Sequence, residues 1–354
     1  MIPTKSTRRR RSGAAVTLHE VAKLAGVHPM TVSRALKGSE TVAEATRENI
    51  LRVAKELNYT PNLAARALVM GRTETIAVVT GPVSEHYYAH LLYLLEGELT
   101  ASNYKMLFLR SRDINQDLFS FVDANAVDGV IAIDAYFNIR DIVQSQSTFI
   151  PPCVYAGVPH PSWSTSVDTI NIDLSEGIRE AIHAMLDSGC RRVAYLVSNH
   201  GMASKTEIRP RVYEATLEAA GHARELINLD IGSNTYVHDL VRSRLVEYIR
   251  AHGCPDGLLC QNDEMAIAAY RALRDLKLRV PDDVQLVGCD GLAYMEYFDP
   301  QLSTIVQPAE QMCALAWQFL QQRMNDAYAP RQQATLTAHL RVRPSLKAFN
   351  ETST

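Results

Sequence analysis

The chain has 354 residues, 47% of them hydrophobic and 21% charged, a composition that excludes a disordered or fibrous protein and leaves room for two or three ordinary domains. Its net charge of −3 conceals an asymmetry: residues 1–74 carry 13 Lys and Arg against 6 Asp and Glu, while the remainder carries 23 against 33. A small basic module on a larger acidic body fits a reader of nucleic acid joined to something that does not touch it.

The opening M-I-P-T-K-S-T-R-R-R-R-S-G is basic, with no apolar stretch behind it to make a signal peptide, and no run is long enough to span a membrane. A cytoplasmic location is therefore expected. Residues 1–15 read as a basic disordered tail, in which Arg8 to Arg11 either touch phosphates or add only screened attraction. Cys153, Cys190, Cys254, Cys260, Cys289 and Cys313 are scattered without C-x-x-C spacing, which suits reduced core thiols better than disulfides or zinc.

Residues 16–60 read as three short helices. Thr17 and Glu20 form a capping-box pair, and Leu18, Val21, Ala22 and Ala25 follow at the spacing of one helical stripe. Gly26 provides the left-handed turn. A second helix starts with Pro29, buries Val32 and Leu36, and turns Thr31, Ser33 and Arg34 elsewhere; Gly38 closes it. Ile50, Val53, Ala54 and Leu57 mark the third. Two short helices about a Gly-containing turn make a helix-turn-helix, whose second helix fits the major groove. Arg34 is the best base reader, since a guanidinium bonds guanine O6 and N7 together. A plain three-helix packing unit with a solvated arginine is the alternative.

The residues themselves decide between these. V-A-x-x-A-G-V-x-x-M-T-V-S-R-A-L, T-R-E-N-I and L-N-Y-T-P-N-L-A-A-R-A-L closely resemble the headpiece of the lactose-repressor (LacI/GalR) family, from Thr17 to Leu68 almost without a gap. The resemblance places DNA contacts along Leu18 to Lys37, above all at Pro29, Met30, Thr31, Ser33 and Arg34. His28 and Pro29 depart from the usual residues there, and Ala43 replaces a capping Ser, with Thr41 and Glu44 as a substitute box. Residues 61–74 are Ala-rich but too short to be a stable helix alone. The resemblance makes them a hinge helix and linker that order on operator DNA, with Asn62, Ala65 and Leu68 toward the minor groove and Leu68 wedged into a base step. An ordinary linker is the plainer reading.

From Thr75 onward, buried strand-like runs (T-I-A-V-V, K-M-L-F-L, D-G-V-I-A-I-D, P-P-C-V-Y-A, R-R-V-A-Y-L-V, D-G-L-L-C, D-V-Q-L-V-G) alternate with helices. This predicts an α/β domain over residues 75–350, in two doubly wound parallel-sheet lobes: about 75–172 with 306–335, and about 173–305 with 336–350. Together with the all-α headpiece, that is the periplasmic-binding-protein-like architecture of the resembled family. Ligands in such sheets sit beyond the carboxyl ends of the strands. Arg209, Asn262, Asp263, Asp290 and Gln307 lie at such ends, and Tyr87 and Tyr88 offer an aromatic wall. By motif, Arg209, Asp263, Asp290 and Gln307 correspond to effector-site residues of the family, and their mixture of acceptors and donors suits a sugar. Asp263 is equally suited to capping the next helix, and Asp290-Gly291 to a simple turn. Tyr155-Ala156-Gly157 lacks an acidic residue that sugar-responding members carry, which leaves an acidic effector open.

The expected function is a transcriptional regulator, usually a repressor of carbohydrate-metabolism genes, controlled by a small sugar or sugar acid. It would bind a near-palindromic operator as a homodimer, because one headpiece reads too short a half-site. No leucine heptad follows the last strand, T-L-T-A-H-L-R-V-R, so a tail-built tetramer is not expected. A sugar-uptake binding protein would leave the headpiece unused. An enzyme would need a motif such as G-x-G-x-x-G, a Walker loop, H-E-x-x-H or G-x-S-x-G; none occurs, so no catalytic residue, cofactor or metal is expected.

Overall fold

The computed structural model describes residues 16–36, 39–60, 71–110, 127–135, 151–159, 167–198, 207–229 and 238–347. It divides into two compact units, Met1–Thr73 and Glu74–Thr354.

In the first unit, α1 (Leu18–Ala25) opens on the capping box. Glu20 N–H donates to Thr17 Oγ1 at 3.3 Å, and Thr17 N–H donates to the Glu20 carboxylate at 2.8 Å. Gly26, at φ 68°, turns the chain toward α2 (Pro29–Leu36), and α3 (Glu44–Glu56) closes over both. The core is Val21, Ala22, Ala25, Val32, Ile50 and Val53, with smaller neighbours. Two expectations need correction. The buried partner of Val32 is Ala35, one helical step along, while Leu36 is only half-buried. The substitute capping box does not form, because the Thr41 hydroxyl pairs with Ser39 Oγ at 2.8 Å and Ala43 begins α3 with no side-chain bond. Side chains of α3 tie the unit together instead: Asn49 Nδ2 donates to the Ala25 carbonyl at 3.2 Å, filling a helix-end acceptor, and Arg47 reaches Ser39 O at 2.7 Å.

The second unit holds two sheets. Strands β1 (Thr75–Thr80), β2 (Lys105–Arg110), β3 (Gly129–Ile133), β4 (Cys153–Gly157) and β5 (Asp168–Asp173) join a late strand, β11 (Gln333–Thr337), in a parallel sheet ordered β11-β5-β4-β3-β1-β2. This sheet defines lobe 1. Lobe 2 contains β6 (Val193–Val197), β7 (Glu225–Asn228), β8 (Gly257–Cys260), β9 (Gln285–Asp290), β10 (Ser303–Val306) and β12 (His339–Arg341), in the order β12-β10-β9-β8-β6-β7. Only β12 runs antiparallel to its neighbour among these described pairs. Among the described residues of this unit the α-helices are α4 (His86–Ala101), α5 (Ser175–Asp187), α6 (Ile208–Ala219), α7 (His238–His252), α8 (Asp263–Asp275) and α9 (Ala309–Asn325). Central strands such as β3, β4, β6 and β8 are buried along their whole length, as sheets covered on both faces require, which is why they read as unbroken apolar runs.

The chain passes between lobes after β5, after β10 and after β11. The last passage splits T-L-T-A-H-L-R-V-R, read above as one strand, into β11 and β12 on different sheets. Ala338 at the break is fully buried, and its carbonyl accepts the Gly177 N–H at 3.1 Å. The expected lobe limit at 335/336 therefore falls inside β11. Strands β5 and β7 were not among the expected runs: β5 interleaves polar residues, and β7 is a four-residue edge strand. On lobe 1, the buried Arg323 of α9 grips Asp168 with two bonds of 2.9 Å and donates to the carbonyls of Ala327, Ala329 and Pro330, fixing the path into β11.

Candidate functional site

On the first unit, α2 turns Val32 and Ala35 inward, so Arg34 and Met30 are exposed and Pro29, Thr31 and Ser33 half-exposed. The imidazole of His28 accepts from Met30 N–H at 3.2 Å and so serves the start of this helix, a role left open by the sequence. Leu18 packs against the core from the other side. The second helix thus presents a polar, cationic outer face on a rigid three-helix base. Lys37, Gly38, Asn62, Ala65, Leu68 and the Arg8–Arg11 run lie outside the described residues.

On the second unit, polar side chains gather where strands of both sheets end. Tyr87, near the start of α4, donates from its hydroxyl to Gln307 Oε1 at 2.9 Å, and Gln307 Nε2 donates to Asp290 Oδ1 at 3.1 Å. Asp290 Oδ2 accepts from Asp263 N–H at 3.4 Å, completing a chain of bonds from lobe 1 to lobe 2. Arg209 is held by Glu207, with Nε and Nη2 each 2.7 Å from a carboxylate oxygen, and its Nη1 donates to the Gln261 carbonyl at 2.8 Å. Its guanidinium acts on three carboxyls at once, lowering Asp134, Glu85 and Asp290 against the burial that raises them.

Burial wins at all three. It pushes Asp134 up to about 6 and Glu85, with help from Glu264, up to about 7, and it raises Asp290, which also feels the neighbouring Asp263. Two of these acids sit on unusual backbone, Asp134 at φ 50° and Asp290 at φ 150°; such conformations persist where surrounding structure enforces them and gather at binding sites. Gly157, at φ 144°, makes room for one of them, since a Cβ there would lie 2.1 Å from Asp134 Oδ1.

Residues 17–62 match the family model described as bacterial regulatory proteins, lacI family, and residues 182–346 match a periplasmic binding protein-like domain. Over 338 residues the chain is 32% identical to the HTH-type transcriptional regulator CelR of Thermobifida fusca, covering 93% of this chain and 98% of that protein. The chain belongs to the lacI family of bacterial regulatory proteins. Its fold is similar to a solved CelR–cellobiose complex, with a TM-score of 0.65 at 28% identity over 93% of this chain and 99% of the other. It is also similar to the lac repressor dimer bound to operator and the anti-inducer ONPF, with a TM-score of 0.76 at 22% identity over 95% and 100%, a likeness of fold.

In this LacI-family regulator, several expected ligand contacts have structural duties. Asp263 is completely buried, and its oxygens accept from Thr304 Oγ1 at 2.6 Å and from the N–H groups of Gly291 and Leu292 at 3.0 and 2.8 Å. It braces the loop that carries Asp290. The cap of α8 is Asn262, one residue earlier, whose Oδ1 accepts Met265 N–H at 2.9 Å. Tyr87 is buried rather than a wall, while Tyr88 is half-buried, lies over Gly81 and hydrogen-bonds Asp134. The sequence reading missed Asp134, Glu85 and Glu207. Asp134 ends the run D-G-V-I-A-I-D, a visible signal, and its Oδ1 accepts the Val158 N–H at 3.0 Å, next to Tyr155-Ala156-Gly157. Tyr195 was also missed: its hydroxyl is buried with no hydrogen bond among the described residues, and it feels Arg209 and Glu207. A separate open groove of 1330 Å³ lies between α5 and α6, where Arg224 pairs with Glu214 at 3.4 Å.

Proposed function

We propose that this regulator binds a near-palindromic operator as a homodimer and represses carbohydrate-metabolism genes, with its grip on DNA set by a small neutral sugar held between the lobes. The carrying observation is the convergence of Tyr88, Asp134, Arg209, Asp290 and Gln307 from both lobes. Neutral is chosen over acidic because Glu207 and a carbonyl already occupy Arg209, and the other charged groups described around it are carboxyls. Such acceptors favour a ligand that donates from its hydroxyls. The cellobiose in the CelR complex makes a glucose disaccharide the first candidate here.

Control follows from population shift: a sugar that prefers one spacing of the lobes changes the cost of ordering the two hinge segments on DNA. A coupling of ~1–3 kcal/mol would change operator affinity several-fold to about a hundred-fold. No catalytic step is assigned. Among the described residues no helix is long and apolar enough to cross a membrane; a regulator that works on DNA would act in the cytoplasm.

The test is calorimetry against cellobiose and a panel of neutral sugars and sugar acids, followed by anisotropy titration of labelled duplexes. A binding sugar should change duplex affinity, and its heat should vanish in Arg209→Ala and Asp290→Ala. A protein without preference for any duplex sequence would remove the regulatory reading. A sugar bound normally by both variants would remove the cleft assignment alone.

A further inference from the structure

Beside the cleft, and unused by the reading above, one carboxylate joins the two lobes. Glu264 is the second residue of α8, on lobe 2, and its side chain is 9% exposed. Its Oε1 lies 2.5 Å from His86 Nδ1, 3.3 Å from the His86 N–H and 3.1 Å from the Tyr294 hydroxyl; its Oε2 lies 2.6 Å from His238 Nε2. His86 begins α4 on lobe 1, whereas His238 begins α7 and Tyr294 lies in the 3-10 helix Ala293–Tyr297, both on lobe 2. The His86 and Tyr294 rings also meet edge to face, 5.1 Å apart. The other hydrogen bond described above between α4 and the far side, Tyr87 to Gln307, ends on a crossover segment that is continuous with both lobes.

We infer that Glu264 is a positioning residue that latches the lobes together, anchored in lobe 2 by His238 and Tyr294 and gripping lobe 1 through His86. A buried carboxylate needs compensating charge, and two imidazoles provide it when protonated. Burial opposes ionisation of Glu264, but the hydrogen bonds from His238 and His86 prevail and hold its carboxyl down at about 2. The carboxylate is therefore anionic across the working range. The other titratable groups facing it are Glu85 next to His86, Tyr294, and Asp263 and Asp290 behind. Glu85 is raised to about 7, first by burial and then by Glu264 itself. Among the described partners of Glu264, His86 is the one on lobe 1, so that arm sets the lobe spacing, while the arm to His238 sets the carboxylate's own orientation.

Hydrogen exchange of the full-length chain, read peptide by peptide without any ligand, tests this directly. In Glu264→Gln the peptide covering residues 84–92, on the opposite lobe, should exchange roughly two- to tenfold faster than wild type at pH 5.5, the range for a half-exposed charge-assisted bond. His86→Gln, at a site 57% exposed and so tolerant of change, should speed exchange across the gap in residues 290–298 by a similar factor. His238→Gln should have a smaller effect on 84–92. If Glu264→Gln alters only α7 and α8 while 84–92 exchanges as in wild type, Glu264 is a brace of lobe 2 and the latch is overturned. The outcome is independent of the sugar and of DNA, so it stands or falls separately from the proposed function.

Discussion

Asp168 at the back of lobe 1 and Asp263 under the cleft are both completely buried acids, yet their surroundings differ in kind. Burial opposes ionisation at each. At Asp168 the Arg323 guanidinium and the Gln332 N–H outweigh it and hold the carboxyl below its ordinary range. At Asp263 the bonded donors, a hydroxyl and two backbone N–H groups, are uncharged, Asp290 stands beside it, and the carboxyl is raised. The brace closes its charge within the protein. The acids at the cleft keep an excess of acceptor character, which the proposed sugar would meet with its hydroxyls.

The largest expected effect comes from opening the closed pair. Asp168→Ala leaves Arg323 charged and buried and should cost about 3–5 kcal/mol in urea unfolding, whereas a joint Asp168→Leu, Arg323→Met change should recover most of it. A single variant with near wild-type stability would erase the contrast drawn here. Next in size, Arg34→Ala should weaken specific duplex binding by about 1–3 kcal/mol and relax base preference in anisotropy titrations; equal weakening on random duplex would reduce Arg34 to a phosphate contact.

The smallest effect is the sharpest in sign. Asp168, held low, contributes stability that is present above its ordinary pKa and is lost as pH falls below it. Glu85, raised to about 7, contributes stability present below its ordinary value and lost as pH rises through about 7. Thermal unfolding from pH 5 to 8 should therefore decline less in Glu85→Gln than in wild type. Parallel curves would mean that Glu85 does not carry the cleft's excess of acid.

Much of this was legible in the residues. The capping box at Thr17 and Glu20, the stripe of Val21, Ala22 and Ala25, and the apolar runs of the central strands announced their elements because each is specified by neighbours in sequence. The cleft was only half legible. Strand-end positions pointed to Arg209, Asp290 and Gln307, but which acid pairs, braces or remains available depends on contacts between distant segments. Glu264 meets His86 178 residues away, and nothing in either local sequence announces it. The division at Ala338 was hidden for a similar reason, because the polar–apolar alternation continues through a residue where the chain changes sheets.

That change of sheets also bears on how the molecule is made. The run 333–341 supplies an outer strand to each sheet, so neither lobe is a contiguous stretch of chain. A chain leaving the ribosome can finish its headpiece early, but both lobes must wait for the same nine residues, and ligand-responsive protein should appear in a single late step rather than lobe by lobe.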